Sequence, residues 1–251
     1  MKLSIIIPGI RRSNWNKIYE DISVSFNRSE FEMLVVGPSL PEDYFLDKLN
    51  FKFIRDFGHP SRSLQIASTF CSAKYLCWLP DDIKLEIGAL KECSDFMEDK
   101  PENDGMTLRY SEGENFTGSQ DKDESYWVGW THQDQRFPNV NPSWRIAPVF
   151  LYNRKHFLEI GGLDCRFEHI NFNTHDLAYR TQSRGGKIHL SPTKVFSADW
   201  KPNDPIISAA HYQHDAPLFK QVYSENNPSR HVEIDNWKNE EAYWFRRRYN
   251  I

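Results

Sequence analysis

Long apolar runs and an excess of basic charge are both missing from this sequence. No stretch approaches the roughly 20 consecutive apolar residues that a membrane-spanning helix needs. The opening residues, MKLSIIIPGIRR, hold a short apolar run that Pro8 and Gly9 interrupt, so we expect neither a signal peptide nor a membrane span. The net charge is −4 and the sequence pI about 6.1, which excludes a general positive field for binding nucleic-acid phosphates. These absences predict a cytoplasmic protein.

The cysteines match no metal-binding pattern. The four of them, Cys71, Cys77, Cys93 and Cys165, lack the paired spacing of zinc sites, and three lie in apolar segments. We therefore expect small buried side chains in a reducing compartment. The dense basic run at residues 246–248 is better explained as the positive last turn of a helix than as a nucleic-acid site.

What the sequence does contain is an alternation of apolar runs with helix-like segments. LSIII, FEMLVVG, FKFIR and YLCWL are apolar runs, and helical spacing follows the first from Ser13, the third around Leu64 and the fourth over residues 86–98. Buried runs that alternate with helices are typical of a mostly parallel sheet in an α/β protein. For residues 1–100 we expect the order strand, helix, strand, strand, helix, strand, helix.

The second half of the chain is less regular. Residues 99–145 are polar and loop-like apart from two strand candidates, MTLRY and SYWVGW. IAPVFLY predicts a strand, RKHFLEI a helix capped by Asn153, HDLAYRTQSR a helix capped by Thr174, and KIHL and KVFS two short strands. From about residue 202 we expect a loop-like tail, followed by a final helix near residues 233–248.

Three of the predicted strands end in residues suited to a ligand. Since ligands of open α/β sheets bind outside the carboxyl ends of the strands, these residues predict a site. Paired acids after a buried strand repel each other, so they form either a solvated turn or a seat for positive charge. The residues are Pro8, Gly9 and Arg11 after the first strand, Gly37 and Ser39 after the second, and Asp81 and Asp82 after the fourth.

Four stretches together resemble family 2 glycosyltransferases of the GT-A fold, over about residues 3–200. LSIIIPGIR resembles the first strand and nucleotide loop, and GHPSRSLQIASTFCSAKYLCWLPDD the helix, strand and metal motif. RKHFLEIGGLDCRF and HDLAYRTQSRGGKI resemble the segment after the acceptor region and the helix that opens with the catalytic acid. The resemblance implies an α/β fold of the GT-A type, a Rossmann-like mostly parallel sheet flanked by helices, with a C-terminal extension.

The implied domain boundaries follow the same comparison. A catalytic domain would cover residues 1–205, with a nucleotide-binding half over about 1–100 and an acceptor-binding half over about 101–205. Residues 206–251 would form the extension, ending in a helix.

The resemblance implies a metal-dependent inverting transferase that uses a nucleoside-diphosphate sugar, with a UDP-sugar as the expected donor. Mn²⁺ or Mg²⁺ would bind Asp82, the last residue of the family's Asp-any-Asp motif, whose first position here is Pro80. Asp81 would contact ribose or assist the metal. His211 is expected to complete the metal shell, with His214 and Asp199 as further candidates.

The same resemblance distributes the other roles. Pro8, Gly9, Arg11 and Arg62 would bind the nucleotide, while Gly37 and Ser39, standing where the family has a base-reading acid, leave the base open. Asp176 is the predicted base that deprotonates the acceptor hydroxyl, although a position in the first turn of a helix would lower its pKa. The expected acceptor is a glycan, and it would contact His175, Trp127 and Trp130. The two tryptophans are equally suited to packing in the core or in a hairpin.

Three other functions compete with a transferase. A His-Asp phosphohydrolase is suggested by His169, His175, Asp176, His211 and Asp215, but such proteins resemble helical bundles. A nucleotidyltransferase would need a loop richer in Gly and Lys than PGIRRSN. A catalytically inactive carbohydrate-binding or nucleotide-binding protein is favoured by Pro80 and Gly37.

Overall fold

A computed structural model describes residues 1–112, 131–132, 144–198, 205–224 and 230–239 of the chain. The strands are β1 (Leu3–Pro8), β2 (Phe31–Gly37), β3 (Phe51–Arg55), β4 (Tyr75–Trp78), β5 (Ile83–Leu85), β6 (Gly105–Glu112), β7 (Thr131–His132), β8 (Trp144–Arg145), β9 (Phe150–Asn153) and β10 (Ile188–Ala198). The α-helices are α1 (Trp15–Ser23), α2 (Pro60–Phe70), α3 (Ala89–Met97), α4 (Arg154–Glu159), α5 (Ile170–Ser183), α6 (Pro205–Ala209) and α7 (Ala216–Ser224). A π-helix (Ala210–Asp215) joins the last two, and a 3₁₀ turn covers Asn236–Asn239.

Eight of these strands form a mixed sheet, in the order β3-β2-β1-β4-β9-β6-β10-β5. The first four pair in parallel, and β6 with β10 is also parallel. Strand β9 runs antiparallel to both β4 and β6, and β5 antiparallel to β10. The mostly parallel pairing predicted for residues 1–100 is confirmed for β1 to β4, but the predicted order lacks β5, a short strand in that region that pairs antiparallel with β10. The other antiparallel strand, β9, comes from the less regular second half of the chain.

The centre of the sheet explains why the apolar runs fold as strands. Leu3, Ile5, Ile6 and Ile7 of β1 are all at most 1% exposed, as expected for a strand covered by helices on both faces. Burying each such side chain contributes about 1.5–3 kcal/mol. Helix α1 buries an apolar face that includes Trp15, Ile18 and Ile22, while α2 is buried over residues 63–68, which include serine and glutamine as well as apolar side chains.

Two helix starts test the predicted caps. Asn153 caps α4 as predicted, because its side chain accepts hydrogen bonds from the backbone N–H groups of Lys155 and His156. The predicted cap of the next helix was wrong: α5 begins at Ile170, and His169 caps it.

The predicted pair of short strands, KIHL and KVFS, is one strand, β10, whose register against β6 shifts between Leu190 and Phe196.

The loop-like tail predicted from residue 202 is also wrong. Residues 205–224 are helical, and a separate apolar cluster joins Phe219 and Tyr223 of α7 to Phe167 and Tyr179. Of the final helix predicted near residues 233–248, the described part holds only the 3₁₀ turn, and the rest lies outside the described residues. In the part of the chain that the structure describes, no helix is long and apolar enough to span a membrane.

Candidate functional site

Asp81 and Asp82 lie immediately beyond β4 and share the guanidinium group of Arg11. Arg11 Nη1 is 2.6 Å from Asp81 Oδ1, and Nη2 is 3.1 Å from Asp82 Oδ2. The backbone N–H of Ile10 also donates to Asp81 Oδ2 at 2.7 Å. The Asp81 side chain is 2% exposed and the Asp82 side chain 21%. Asp81 therefore holds the β1–α1 loop in place, and Asp82 is the acid of the pair that a ligand can reach.

The ends of β1 and β2 require glycine at two positions, directly after β1 and at the last residue of β2. A Cβ on Gly37 would lie 1.9 Å from the carbonyl oxygen of Gly9, and a Cβ on Gly9 would lie 2.5 Å from Val35 and 2.6 Å from the Trp15 ring. The ends of β1 and β2 are thus in direct backbone contact, next to Pro8. Ser39 is exposed two residues beyond β2. The structure brings the predicted strand ends together at one edge of the sheet.

Glu112, which the sequence reasoning missed, is a second carboxylate at this edge. It ends β6, where it pairs with Ala198 of β10, and Ala198 pairs in turn with Ile83, the neighbour of Asp82. Burial, and then the charge of Asp82, raise the pKa of Glu112. Hard carboxylate oxygens on two strand ends fit Mg²⁺ or Mn²⁺. An acid that closes a parallel strand on the ligand edge was the signal available in the sequence.

Arg62, the predicted nucleotide-binding arginine, lies in the first turn of α2. Its Nε is 3.1 Å from both carboxylate oxygens of Asp56, which follows β3. Its Nη1 donates to the backbone carbonyl of Trp237, and its Cζ lies 5.4 Å from the centroid of the Trp237 ring. This puts Arg62 at the same edge as Gly37, because the backbone N–H of Asp56 donates to the Gly37 carbonyl at 3.2 Å.

Asp176, the predicted base, is enclosed by cations. Its side chain is 0% exposed; Arg180 Nε donates to Oδ2 at 3.0 Å, Arg230 Nε to Oδ1 at 2.9 Å, and the Tyr223 hydroxyl also donates to Oδ1. Burial by itself raises the pKa of Asp176, but the charges of Arg180 and Arg230 outweigh it and the pKa is lowered. These contacts give Asp176 a structural role; its catalytic role stays a prediction.

The histidines predicted to bind metal or acceptor lie near the start of α5. His211, in the π-helix, has its ring centroid 4.9 Å from that of His169 and 4.8 Å from that of Phe172. His175 is 9% exposed and its ring is 6.3 Å from Phe172. Burial lowers the pKa of His211, and burial followed by the charge of His211 lowers that of His169 to about 4. Both rings are therefore neutral at pH 7, the form that binds metals.

Three of the other predicted site residues lie outside the described part of the chain, and a fourth has a different partner. Trp127, Trp130 and Asp199 lie outside the described residues. His214 pairs instead with Asp215, Nδ1 to Oδ1 at 2.7 Å. Among the residues that are described, no three His, Cys, Asp or Glu side chains form a metal-like cluster.

Comparisons with known proteins identify the fold. No family model and no curated protein matches the sequence. Among solved structures, S. aureus TarS 1-349 in complex with UDP gives a TM-score of 0.61 at 14% identity, covering 100% of this chain and 72% of that one. The same protein with UDP-GlcNAc gives 0.62 at 14% identity, covering 100% and 73%. GalNAc-T7 with UDP, GalNAc and Mn²⁺ gives 0.59 at 12% identity, covering 99% and 58%.

These neighbours are glycosyltransferases with GT-A-type folds. The chain therefore has the predicted GT-A type of fold, a mixed sheet flanked by helices. At such low identity the likeness concerns the fold, so membership of family 2 and the boundary at residue 205 remain predictions.

Proposed function

We propose that the protein is a glycosyltransferase that moves a sugar from a UDP-sugar to an acceptor hydroxyl, with a glycan as the expected acceptor. The observation that carries this proposal is the convergence of Arg11, Asp82 and Glu112 at the carboxyl edge of a GT-A sheet. A cation and two carboxylates at that edge are suited to a charged diphosphate and its counter-ion. TarS with UDP and UDP-GlcNAc, and GalNAc-T7 with UDP, support the choice of donor.

The residues at the site divide the work between nucleotide and leaving group. Asp82 and Glu112 would hold Mn²⁺ or Mg²⁺, and when bound such an ion neutralises the negative charge that develops on the departing diphosphate. Arg11 adds a second positive charge, and its salt bridge to Asp82 must rearrange to admit the cation. Gly9 and Gly37 allow the ends of β1 and β2 to pack closely against each other and against Val35 and Trp15, which fixes the position of the loop that carries Arg11.

An inverting mechanism needs a base that takes the acceptor proton, and Asp176 remains our proposal for it. Both of its oxygens are occupied in the described structure, so Arg230 and Tyr223 must move away from Oδ1 before an acceptor hydroxyl can reach it. His175, one residue earlier on α5, would then contact the acceptor. The enclosure of Asp176 is also the observation that favours the second candidate, a GT-A protein that binds nucleotide or carbohydrate without transfer.

A ligand panel followed by a hydrolysis assay tests both candidates. Thermal unfolding is measured with UDP, GDP and CDP, each with and without Mn²⁺; a ligand at 100 times its Kd stabilises the folded state by about 2.7 kcal/mol. UDP-sugars are then incubated with the protein and free UDP is measured. A transferase binds UDP with Mn²⁺ and releases UDP slowly from its own donor. Binding without release supports the inactive protein in its nucleotide-binding form. If no nucleotide binds, the transferase is contradicted and only the carbohydrate-binding form of the second candidate is left.

A further inference from the structure

The C-terminal strap, which we define as residues 230–239, is fixed to α5 by Arg230, the first residue of the strap. Arg230 Nη1 is 2.6 Å from Asp164 Oδ2, and Arg230 Nε donates to Asp176 Oδ1 at 2.9 Å. Arg230 is 8% exposed, and burial opposes its charge while Asp176 raises its pKa above the usual range. A buried arginine with two carboxylate partners is costly to separate from both, so its pair with Asp164 keeps this end of the strap in place even when its contact with Asp176 opens.

The backbone in the middle of the strap is held in place by close contacts with α2 and with residues 161–165. A Cβ on Gly161 would lie 1.6 Å from the carbonyl oxygen of Val232, so the two backbones touch. Gln65 Nε2, on α2, donates to the Ile234 carbonyl at 2.8 Å. Asn236 Oδ1 accepts from the backbone N–H of Cys165 at 2.8 Å. These contacts to backbone atoms determine where the next residue of the strap, Trp237, is placed.

Trp237 is placed against Arg62. The guanidinium of Arg62 lies over the indole ring, with Cζ 5.4 Å from its centroid, and Nη1 donates to the Trp237 carbonyl. Asp56 holds the Nε side of the same group at 3.1 Å. The indole Nε1 is buried and makes no hydrogen bond to the described residues, so the ring acts through its face. Arg62 is thus held from two sides, by β3 and by the strap.

We propose that Trp237 is a positioning residue, which holds the Arg62 guanidinium in the orientation that binds a nucleoside diphosphate. This rests on the proposed function, in which Arg62 contacts the nucleotide. An arginine on a flexible stem loses conformational freedom when it binds a phosphate or a base edge, and fixing it beforehand improves affinity. An aromatic face beneath the guanidinium supplies that restraint without competing for the anion.

Binding of UDP to the full chain, measured by calorimetry with Mn²⁺ present, tests the proposal. Trp237→Leu keeps an apolar side chain but removes the aromatic face, and we expect UDP to bind about 3- to 30-fold more weakly. Trp237→Phe keeps a face and loses no hydrogen bond, so its Kd should stay within about threefold of wild type. Phe70→Ala, which truncates a 53% exposed aromatic side chain at the far end of α2, is the matched control and should leave the Kd of UDP unchanged.

A double-mutant cycle separates positioning from general damage. In an Arg62→Ala background, Trp237→Leu should cause no further loss of UDP affinity, because the side chain that it positions is gone. Equal losses in both backgrounds, or an unchanged or tighter Kd for a folded Trp237→Leu variant, would overturn the proposal. If Arg62→Ala alone leaves UDP binding unchanged, the proposal also fails while the proposed function survives. If wild type binds no nucleoside diphosphate, the proposed function itself fails.

Discussion

Replacing Asp176 with asparagine tests how the buried ion pairs around α5 contribute to the fold. The substitution keeps the size of the side chain and removes its charge. Arg180 and Arg230 then remain buried without their shared counter-ion, at 0% and 8% exposure of their side chains. Arg230 keeps its contact to Asp164 at 2.6 Å, so Arg180 is the arginine that loses its carboxylate partner without a replacement.

The size of the effect follows from this burial. Removing one partner of a buried ion pair typically costs about 3–5 kcal/mol, because an uncompensated charge is left inside. For a chain of this size each kcal/mol lowers Tm by about 2–4 °C, so we expect Asp176→Asn to melt about 6–20 °C below wild type. Asp235→Asn is the matched control, since Asp235 pairs with Lys238 at 3.0 Å on the surface, with 54% and 57% of the two side chains exposed. Exposed pairs contribute about 0–1 kcal/mol.

The assay is thermal unfolding followed by circular dichroism, with UDP release measured on the same samples below the melting range. A Tm within about 3 °C of wild type would refute the ion-pair argument. Loss of turnover by about 10²–10⁴-fold in the fraction that is still folded would support the catalytic role as well. Unchanged turnover in folded protein would remove Asp176 from the mechanism and leave its structural role intact.

Three further outcomes are expected. Asp82→Asn should abolish the Mn²⁺ dependence of UDP binding while Glu86→Gln, at a half-exposed glutamate beside β5, should not; calorimetry with and without metal checks this. Gly37→Ala should cost about 1–3 kcal/mol or more in urea unfolding, because its Cβ would meet the Gly9 carbonyl at 1.9 Å. Burial raises the pKa of Asp164, but Arg166 and Arg230 lower it to about 2, from 3.8 when unfolded. Since the folded pKa is the lower one, about 2 kcal/mol of stability that is present above pH 4 should be lost as the pH falls to about 2, and urea titrations across that range measure it.

The first half of the chain could be predicted because its signals are local. A run such as LSIII in β1 can satisfy its burial only between two layers of helices, and the residues that follow each parallel strand must then meet at one edge. The contacts of Gly37 with Gly9, and of Asp81 with the loop after β1, agree with that expectation.

The helical tail shows where local signals fail. Pro217 is the second residue of α7, which directly follows the π-helix, and it therefore lies inside a continuous helical stretch, where a proline normally interrupts the backbone hydrogen bonds. The π-helix before it shifts the phase of the apolar spacing, so Phe219 and Tyr223 do not continue a pattern begun at α6. The start of α5 differs from the prediction for another reason: His169 caps through its ring nitrogen Nδ1, whereas Thr174 carries the hydroxyl that is common at helix caps.

The sequence by itself determined the parallel strands β1 to β4 and the edge of the sheet at which Arg11, Asp81 and Asp82 meet, because strand burial and parallel order follow from the pattern of apolar residues along the chain. The tertiary structure alone decided which charges pair. Asp176 meets Arg230, which lies 54 residues further along, and Arg62 meets Trp237, 175 residues away. Such partners depend on how distant segments pack in space, and no spacing along the chain encodes that.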